Sequence, residues 1–328
     1  MFVGIYLLAA AVVGGEWSEG AVRFETGSDA VNRIVAGKPS GEYGSKVIET
    51  YELLRHTGKS ADAKRDWQSL YDQVEKATSN RCDKAVSEDE FIGACHWLME
   101  ARMMNEIEQA AFGQIGRMTI SYPKFGMVGL EAGAYIRERF VGADGMLKPP
   151  YRGQALPSAF ALYLGLVDGA AVGATARELK ATLAVGGHVG RVTLPNGAFE
   201  WIAVLDALSR SGMSDVAYGL LMDGKAVDCG AAVSWLWRKA AGIASDPTNP
   251  GFRTVIMAPQ PDRRLGFVRA EYRSPAGVVK SAWRYEGGKW IWDFTVPRAA
   301  IAAVTLPGQD SSRLYDCGDH QIVLEGVK

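Results

Sequence analysis

The stretch from residue 268 to residue 296 alternates between apolar and polar side chains, which limits it to extended chain with one solvated face. The first run places its apolar and polar residues on opposite sides: Val268, Ala270 and Tyr272 against Arg269, Glu271 and Arg273. Turn sequences at 274–277 and 286–289 separate this run from two further ones. Four large aromatic residues of the later runs share one predicted face: Trp283, Trp290, Trp292 and Phe294. We therefore expect residues 265–307 to form an antiparallel β-sandwich with two or three of these rings buried.

Residues 43 to about 243 show a period near 3.6 instead, which indicates amphipathic helices separated by glycine-bearing loops. The clearest predicted helices cover the ranges 91–111, 129–140, 156–166, 199–208 and 214–222. Thr175 followed by Glu178 matches a capping box and predicts a helix start directly before Leu179. A regular alternation of helix and loop without strands favours an α/α array, either a toroid or a superhelical solenoid.

Composition limits the classes of protein to which this chain can belong. With 328 residues, 48% hydrophobic content and a formal net charge of −1, the chain can bury a large core and is expected to form two domains. A near-neutral charge with scattered basic residues argues against nucleic-acid binding. The four cysteines are far apart and form no CxxC pair, which predicts free or buried thiols and no metal site: Cys82, Cys95, Cys229 and Cys317. No cofactor is expected, and the composition leaves the oligomeric state open.

An apolar run covers residues 2–13 at the N-terminus and ends in small residues. The run is too short to span a bilayer as a helix. Its length matches the core of a signal peptide, but no Lys or Arg precedes it. Two alternatives follow, namely export to the periplasm or the cell exterior through a signal peptide spanning about residues 1–15, or a buried core helix in a cytoplasmic protein. One disulfide remains an alternative for the exported form.

Three segments near the C-terminus occur in a distinctive order: WLWRKAAGI at 235–243, NPGFRTVIMAPQP at 249–261 and IAAVTLPG at 301–308. In this order they resemble the C-terminal part of bacterial α-L-rhamnosidases, a family of inverting glycoside hydrolases with an (α/α)6-barrel catalytic domain. Upstream, YELLRHTG at 51–58 resembles a barrel helix that leads into a turn, and the segment 154–166 resembles a family helix that starts with Gln. The resemblance implies an α+β multidomain protein. We expect an α/α-barrel (toroid)-like helical domain, incomplete or remodelled, over 1–246 and a small antiparallel β-sandwich over 247–328.

The sequence departs from the family where the catalytic residues should lie. In these rhamnosidases the base is a glutamate in an Ala-Thr-Thr-x-Trp-Glu segment between a Tyr-x-Leu-Leu helix and a Trp-Leu-Tyr-Arg helix. Here Met222 is followed almost at once by Asp223-Gly224-Lys225, and the sequence contains no such segment. Ala226 stands where the family has a substrate-binding histidine. The catalytic residues are therefore left unassigned.

Glu200, Trp201 and Gln154 are the candidate substrate-binding residues. Glu200 and Trp201 follow the glycine-bearing loop 194–197, and they join a carboxylate to a ring that can stack on a sugar. The alternative is that Trp201 lies in the core and Glu200 is a solvated charge at a helix N-terminus. Gln154 begins the family-like helix. His96 lies in an apolar stretch and is interpreted as a hydrogen-bonded core histidine.

Two functional hypotheses follow from the resemblance. The first is an α-L-rhamnosidase-like, inverting glycoside hydrolase acting on rhamnose-containing glycans or glycosides, with the family's catalytic segments missing. The second is a catalytically inactive carbohydrate-binding or assembly protein on the same scaffold. Loss of a general acid or base lowers rates by orders of magnitude, so we expect weak or no hydrolysis of aryl α-L-rhamnosides.

Overall fold

A computed structural model of the chain describes residues 22–36, 45–84, 89–112, 114–115, 118–119, 124–184, 198–223 and 230–327. The chain divides into two compact units. Unit 1 comprises residues 1–42, 52–59 and 217–328, and unit 2 comprises residues 43–51 and 60–216. The sequence of unit 2 therefore lies between two parts of unit 1 and is itself interrupted by residues 52–59 of unit 1.

Unit 1 contains a five-stranded antiparallel sheet with the strand order β1-β6-β7-β8-β11. Its strands are β1 (Val22–Thr26), β6 (Phe267–Ser274), β7 (Gly277–Glu286), β8 (Lys289–Val296) and β11 (Gly318–Glu325). The three runs predicted from alternation are β6, β7 and β8, joined by hairpins at the two predicted turns. Strand β1 pairs with β6 along its whole length, from Val22 opposite Tyr272 to Thr26 opposite Val268.

A second, four-stranded sheet of unit 1 has the order β10-β9-β5-β4. Its strands are β4 (Ile243–Ser245), β5 (Thr254–Met257), β9 (Ile301–Thr305) and β10 (Ser312–Tyr315). Strands β5 and β9 run parallel, whereas the other pairs are antiparallel. The ring of Tyr315 on β10 lies 5.4 Å from that of Phe294 on β8, so the two sheets are in contact there.

The aromatic face of the sandwich is buried. The four predicted rings are each at most 2% exposed: Trp283, Trp290, Trp292 and Phe294. Their predicted face is confirmed, and all four are buried where two or three were expected. Two of the indole N–H groups find partners: Trp292 Nε1 donates to Ser281 Oγ at 3.0 Å, and Trp283 Nε1 donates to the Ala240 carbonyl at 2.7 Å. The core therefore combines a large apolar area with specific hydrogen bonds.

Helices make up most of the described residues of unit 2, and further helices belong to unit 1. They are α1 (Asp29–Ala36), α2 (Lys46–Thr57), α3 (Ala61–Asn80), α4 (Glu90–Phe112), α5 (Lys124–Phe140), α6 (Ala155–Tyr163), α7 (Gly169–Ala184), α8 (Ala198–Arg210), α9 (Ser214–Met222) and α10 (Gly230–Trp235), the last continuing as a π-helix over Leu236–Ala240. Within unit 2, α4 packs against α3, α5 and α6, and α6 also packs against α7 and α8. Two short strands, β2 (Gln114–Ile115) and β3 (Met118–Thr119), form a small hairpin.

Most predicted helices agree with the observed ones, but one predicted start is wrong. Helix α7 begins at Gly169, so Thr175 lies inside the helix rather than at its N-cap. The Thr175 side chain is buried and its hydroxyl contacts Met146 Sδ at 3.6 Å. Among the helices that the structure describes, none is both long enough and apolar enough to cross a membrane. The apolar run 2–13 lies outside the described residues. The predicted domain boundary at residue 246 stays a prediction.

Candidate functional site

Helix α4 carries two polar side chains into the interior of unit 2. It is apolar around most of its circumference, and fifteen of its residues are buried. A helix that is apolar on all sides lies inside a protein. His96 and Glu100 are one turn apart on α4, so their side chains project from the same face, and they are 1% and 0% exposed. Buried polar groups of this kind require specific partners.

His96 meets Glu200 from helix α8. His96 Nε2 lies 3.9 Å from Glu200 Oε1, and the imidazole ring lies 5.9 Å from the ring of Phe160 on α6. The Glu200 side chain remains 17% exposed, whereas that of His96 is almost fully enclosed. Helices α4, α6 and α8 therefore bring an imidazole, an aromatic ring and a partly solvated carboxyl group together in unit 2.

Burial sets the protonation of both groups. Desolvation lowers the pKa of His96 to about 3, so the imidazole is neutral at physiological pH. Desolvation also raises the pKa of Glu200 above its ordinary 4.5, against a smaller opposing effect of a backbone hydrogen bond. The contact is consequently not an ion pair. A carboxyl group with a raised pKa is the kind of group that donates a proton in glycoside hydrolysis.

The other two predicted binding residues, Trp201 and Gln154, differ from Glu200 in burial. Trp201, the next residue on α8, is only 4% exposed, which favours a packing role over sugar stacking. Gln154 is exposed directly before α6, and its Nε2 donates to the Pro150 carbonyl at 2.7 Å. The structure thus brings Glu200 to His96, whereas Trp201 is buried and the Gln154 side chain bonds to the Pro150 carbonyl. The loop 194–197 lies outside the described residues.

Sequence reasoning missed a second carboxyl group of raised pKa, that of Glu100. Glu100 Oε1 accepts hydrogen bonds from Ser45 Oγ and, at 2.7 Å, from Gln73 Nε2. Desolvation, with smaller contributions from neighbouring Asp83, raises the pKa of Glu100 to about 8. The sequence signal was the i, i+4 pair of polar residues inside an apolar run. Glu100 is fully buried, so its carboxyl group is bonded within unit 2 and is not exposed to solvent.

A second polar cluster lies inside unit 1, at the YELLRHTG segment. Glu52, Arg55 and His56 line a cavity of about 10 Å³, near the minimum that holds one water molecule. Arg55 Nη2 donates to the Ser245 carbonyl at 3.0 Å, and burial lowers the pKa of His56 to about 3. This cluster connects α2 to strand β4.

Two glycines lie where the turns at 57–60 and 249–252 approach each other closely. Gly58 and Gly251 both have positive φ, 67° and 80°, and a Cβ placed on Gly58 would lie 3.2 Å from Gly251 Cα. The Gly251 N–H donates to the Arg55 carbonyl at 2.8 Å. Positive φ and close backbone approach both favour glycine. The segments 51–58 and 249–261, which both resemble family segments, therefore contact each other within unit 1.

Comparison with known proteins connects this architecture to a family. Residues 242–319, which lie in the sandwich of unit 1, match the family model of the bacterial alpha-L-rhamnosidase C-terminal domain. This chain resembles the bacterial α-L-rhamnosidases. An alpha-L-rhamnosidase of Formosa agariphila is 28% identical over 85 residues, which cover 26% of this chain and 9% of that protein.

Solved α-L-rhamnosidase structures extend the likeness to the helices. The Streptomyces avermitilis α-L-rhamnosidase, solved with L-rhamnose, has a TM-score of 0.66 at 17% identity, and the match covers 85% of this chain and 32% of that one. The enzyme from Dictyoglumus thermophilum has a TM-score of 0.68 at 13% identity, with 90% of this chain and 43% of that one covered. This chain spans less than half the length of each of these relatives. The predicted fold class, an α/α-barrel-like helical part with a β-sandwich, is confirmed, and the sandwich is antiparallel except for the parallel pair of β5 and β9.

Proposed function

We propose that this protein has the carbohydrate-directed function of α-L-rhamnosidase-like glycoside hydrolases and recognises rhamnose-containing glycans or glycosides in unit 2. The observation that carries the proposal is the family match over residues 242–319. It is supported by the structural similarity of 85% of this chain to an α-L-rhamnosidase that was solved with L-rhamnose. Glu200 is the residue that we place at the sugar, because its carboxyl group is partly exposed and has a raised pKa.

The neutral imidazole of His96 supports this role for Glu200. A buried neutral ring 3.9 Å from the carboxyl supplies no positive charge, so it does not favour ionisation of Glu200. A protonated Glu200 can donate to a sugar oxygen, and the ionised form can accept from a sugar hydroxyl. Gln154 remains a further proposed contact because of its exposed amide at the start of α6. We assign the buried Trp201 a packing role next to Glu200 on α8 and not a contact with the sugar.

Binding with weak or absent hydrolysis is the second candidate. The sequence observation that favours it is the replacement of the family's base-bearing segment by Asp223-Gly224-Lys225. An inverting mechanism needs a second carboxylate that activates water at roughly 6.5–9.5 Å from the acid. The two candidates share the sugar and differ only in turnover.

The test combines calorimetry and kinetics on three proteins. L-rhamnose is titrated into wild type, Glu200→Gln and the control Glu138→Gln, whose carboxylate is exposed on α5. We expect wild type and the control to bind alike and Glu200→Gln to bind more weakly. Hydrolysis of an aryl α-L-rhamnoside is measured on the same samples.

Each outcome decides one part of the proposal. Equal heats for all three proteins would remove Glu200 from the site, and no heat for wild type would refute sugar recognition in unit 2. Turnover in the ordinary enzyme range, on the order of 1–1000 per second, would eliminate the binding-only candidate and require a carboxylate pair not identified in this chain.

A further inference from the structure

Three arginines of unit 2 meet at the C-terminal end of helix α6, and we call them the arginine cluster: Arg102 on α4, Arg137 on α5 and Arg210 on α8. Their guanidinium groups donate to three consecutive carbonyls, namely Arg210 to Tyr163 at 3.0 Å, Arg102 to Leu164 at 3.0 Å and Arg137 to Gly165 at 2.8 Å. The last carbonyls of a helix have no partner within the helix. One end of α6 therefore gathers three positive charges from three other helices.

Two glycines of α5 lie against two members of the cluster. A Cβ placed on Gly129 would lie 3.7 Å from Arg102 Cγ, and one placed on Gly133 would lie 3.4 Å from Arg137 Nη1. Gly129 and Gly133 are four residues apart and therefore share one face of α5. The stem of Arg102 and the guanidinium group of Arg137 thus lie next to the same helix face.

The protein does not neutralise the arginine cluster. Among the described residues, no ion pair joins a carboxylate to any of the three guanidinium groups. Two acidic residues stand one turn away, on α4 and α8, but both are engaged otherwise. Glu106 accepts from the Tyr51 hydroxyl at 2.8 Å, and Asp206 is buried at 4% exposure. The cluster therefore keeps its positive charge.

Capping of α6 accounts for only part of that charge. The C-terminus of a helix carries roughly half a negative charge, so three arginines leave an excess of about 2.5 positive charges. Desolvation lowers the pKa of Arg102 from its ordinary value, and the charges of Arg137 and Arg210 add to this effect while Tyr163 opposes it. The guanidinium groups are thus close enough to repel one another, and a bound anion would relieve that repulsion.

The excess charge is open to solvent. All three arginines are exposed, and so is Gly165. A guanidinium group has five N–H groups, and the bond to the carbonyl uses one of them. Arg210 Cζ lies 5.1 Å from the centroid of the Tyr163 ring, a cation–π contact that helps to hold its guanidinium group in place. A ligand that arrives from solvent therefore meets N–H donors from three sides.

The number and geometry of the donors select the class of ligand. A guanidinium group bonds two oxygens of a carboxylate or a phosphate at once. A carboxylate has two oxygens and one charge, which a single arginine can match, whereas phosphate and sulfate present more oxygens and up to two charges. We propose that the arginine cluster binds a tetrahedral oxyanion, phosphate or sulfate, either free or as an ester group of a larger ligand. Arg210 is ten residues from Glu200 on α8, about 15 Å at 1.5 Å per residue, so the proposal is independent of the proposed sugar site.

The experiment titrates the isotope-labelled full chain at low ionic strength and follows the arginine Nε–H signals. The probes are inorganic phosphate, inorganic sulfate, phenyl phosphate and acetate, and sodium chloride at the same ionic strength is the control for screening. Because the site is open to water, we expect phosphate and sulfate to bind with dissociation constants on the order of 1 mM. Phenyl phosphate that binds as tightly as phosphate would support an ester as the ligand, and binding at least tenfold weaker would support the free ion.

Arginine-to-glutamine variants test the cluster itself. Glutamine keeps a donor for the α6 carbonyl and removes the charge, so Arg102→Gln, Arg137→Gln and Arg210→Gln should each weaken phosphate binding at least fivefold. Arg137→Lys keeps the charge without the planar fork and should bind with intermediate affinity. The matched control is Arg177→Gln, at an exposed arginine of α7, which should bind phosphate like wild type.

Three results would overturn the proposal. The first is the absence of saturable shifts with both phosphate and sulfate in wild type. The second is an equal dissociation constant in wild type and all three glutamine variants of the cluster, which would leave the arginines with the capping of α6 alone. The third is acetate binding at least as tightly as phosphate, which would refute the assignment to a tetrahedral oxyanion.

Discussion

Glu100 provides the sharpest test of the energetics of unit 2. Its side chain is fully buried on α4, and its pKa is raised from the ordinary 4.5 to about 8, chiefly by burial. The folded protein therefore holds a proton on Glu100 at neutral pH that the unfolded chain releases. Because the folded state binds more protons, the free energy of unfolding falls as pH rises above about 4.5, and the fall is complete above about 8.

The size of this loss follows from the two pKa values. At about 1.4 kcal/mol per pKa unit, a change from 4.5 to about 8 corresponds to up to about 5 kcal/mol. The Glu100→Gln substitution keeps an acceptor for Ser45 and Gln73, adds a donor that can face Asp83, and cannot ionise. We expect Glu100→Gln to match wild type within about 1 kcal/mol near pH 5, where both side chains are neutral, and to exceed it by several kcal/mol near pH 9.

The assay is urea denaturation at several pH values between 5 and 9, followed by helical circular dichroism. Glu131→Gln serves as the control, because its carboxylate is exposed on α5 and should leave the slope of stability against pH as in wild type. Parallel stability curves for wild type and Glu100→Gln over the whole range would refute the reasoning. Such a result would mean that Glu100 is ionised in the folded protein.

Three further substitutions test the sandwich core by shifts of the urea midpoint. Trp283→Ala removes a ring that is 1% exposed and should cost about 3–5 kcal/mol, whereas a few tenths would contradict its core assignment. Ser281→Ala leaves Trp292 Nε1 and the Ala241 carbonyl without their shared partner and should cost about 1–3 kcal/mol; a neutral result would show that water replaces the hydroxyl. Gly242 has a φ of 75°, and the Cβ of a Gly242→Ala variant would lie 2.4 Å from Pro259 N. Gly287 has a similar φ of 58°, but a Cβ there meets no atom within 4 Å, so we expect Gly242→Ala to cost at least about 2 kcal/mol more than Gly287→Ala. Equal costs for the two glycines would show that backbone strain alone matters.

Local pattern was sufficient to predict strands β6 to β8, because each alternates and is closed by a turn. Strand β1 alternates in the same way from Val22 to Thr26, but its partner β6 is far along the chain, and no local signal reports that pairing. Residues 22–26 were therefore included in the predicted helical domain, 1–246, and were not recognised as a strand of the sheet. Helix α7 was misplaced because Thr175 and Glu178 satisfy a capping-box pattern, while tertiary packing buries Thr175 against Met146 inside a longer helix.

The candidate site was predictable only in part for a similar reason. Glu200 was singled out because it follows the glycine-bearing loop 194–197 and stands beside Trp201. His96 was interpreted as a core histidine, which its 1% exposure bears out. Their approach to 3.9 Å depends on how α4 and α8 are arranged in unit 2, which periodicity does not specify. Burial of Trp201 was one of two alternatives that the sequence left open, since an aromatic residue beside a charged one suits either a core or a binding site.

Pairing of β1 with β6 sets an order for events during protein synthesis. The two strands are about 245 residues apart, so at about 5–20 residues per second β1 leaves the ribosome roughly 12–50 s before its partner. All of unit 2 is translated within that interval, while Val22–Thr26 must wait without its native neighbour. A lone strand is prone to wrong pairing, and the charged side chains of Arg23 and Glu25 at alternate positions are the kind that discourage it. Arg23 and Glu25 are therefore expected to limit wrong pairing of β1 until β6 has been synthesised.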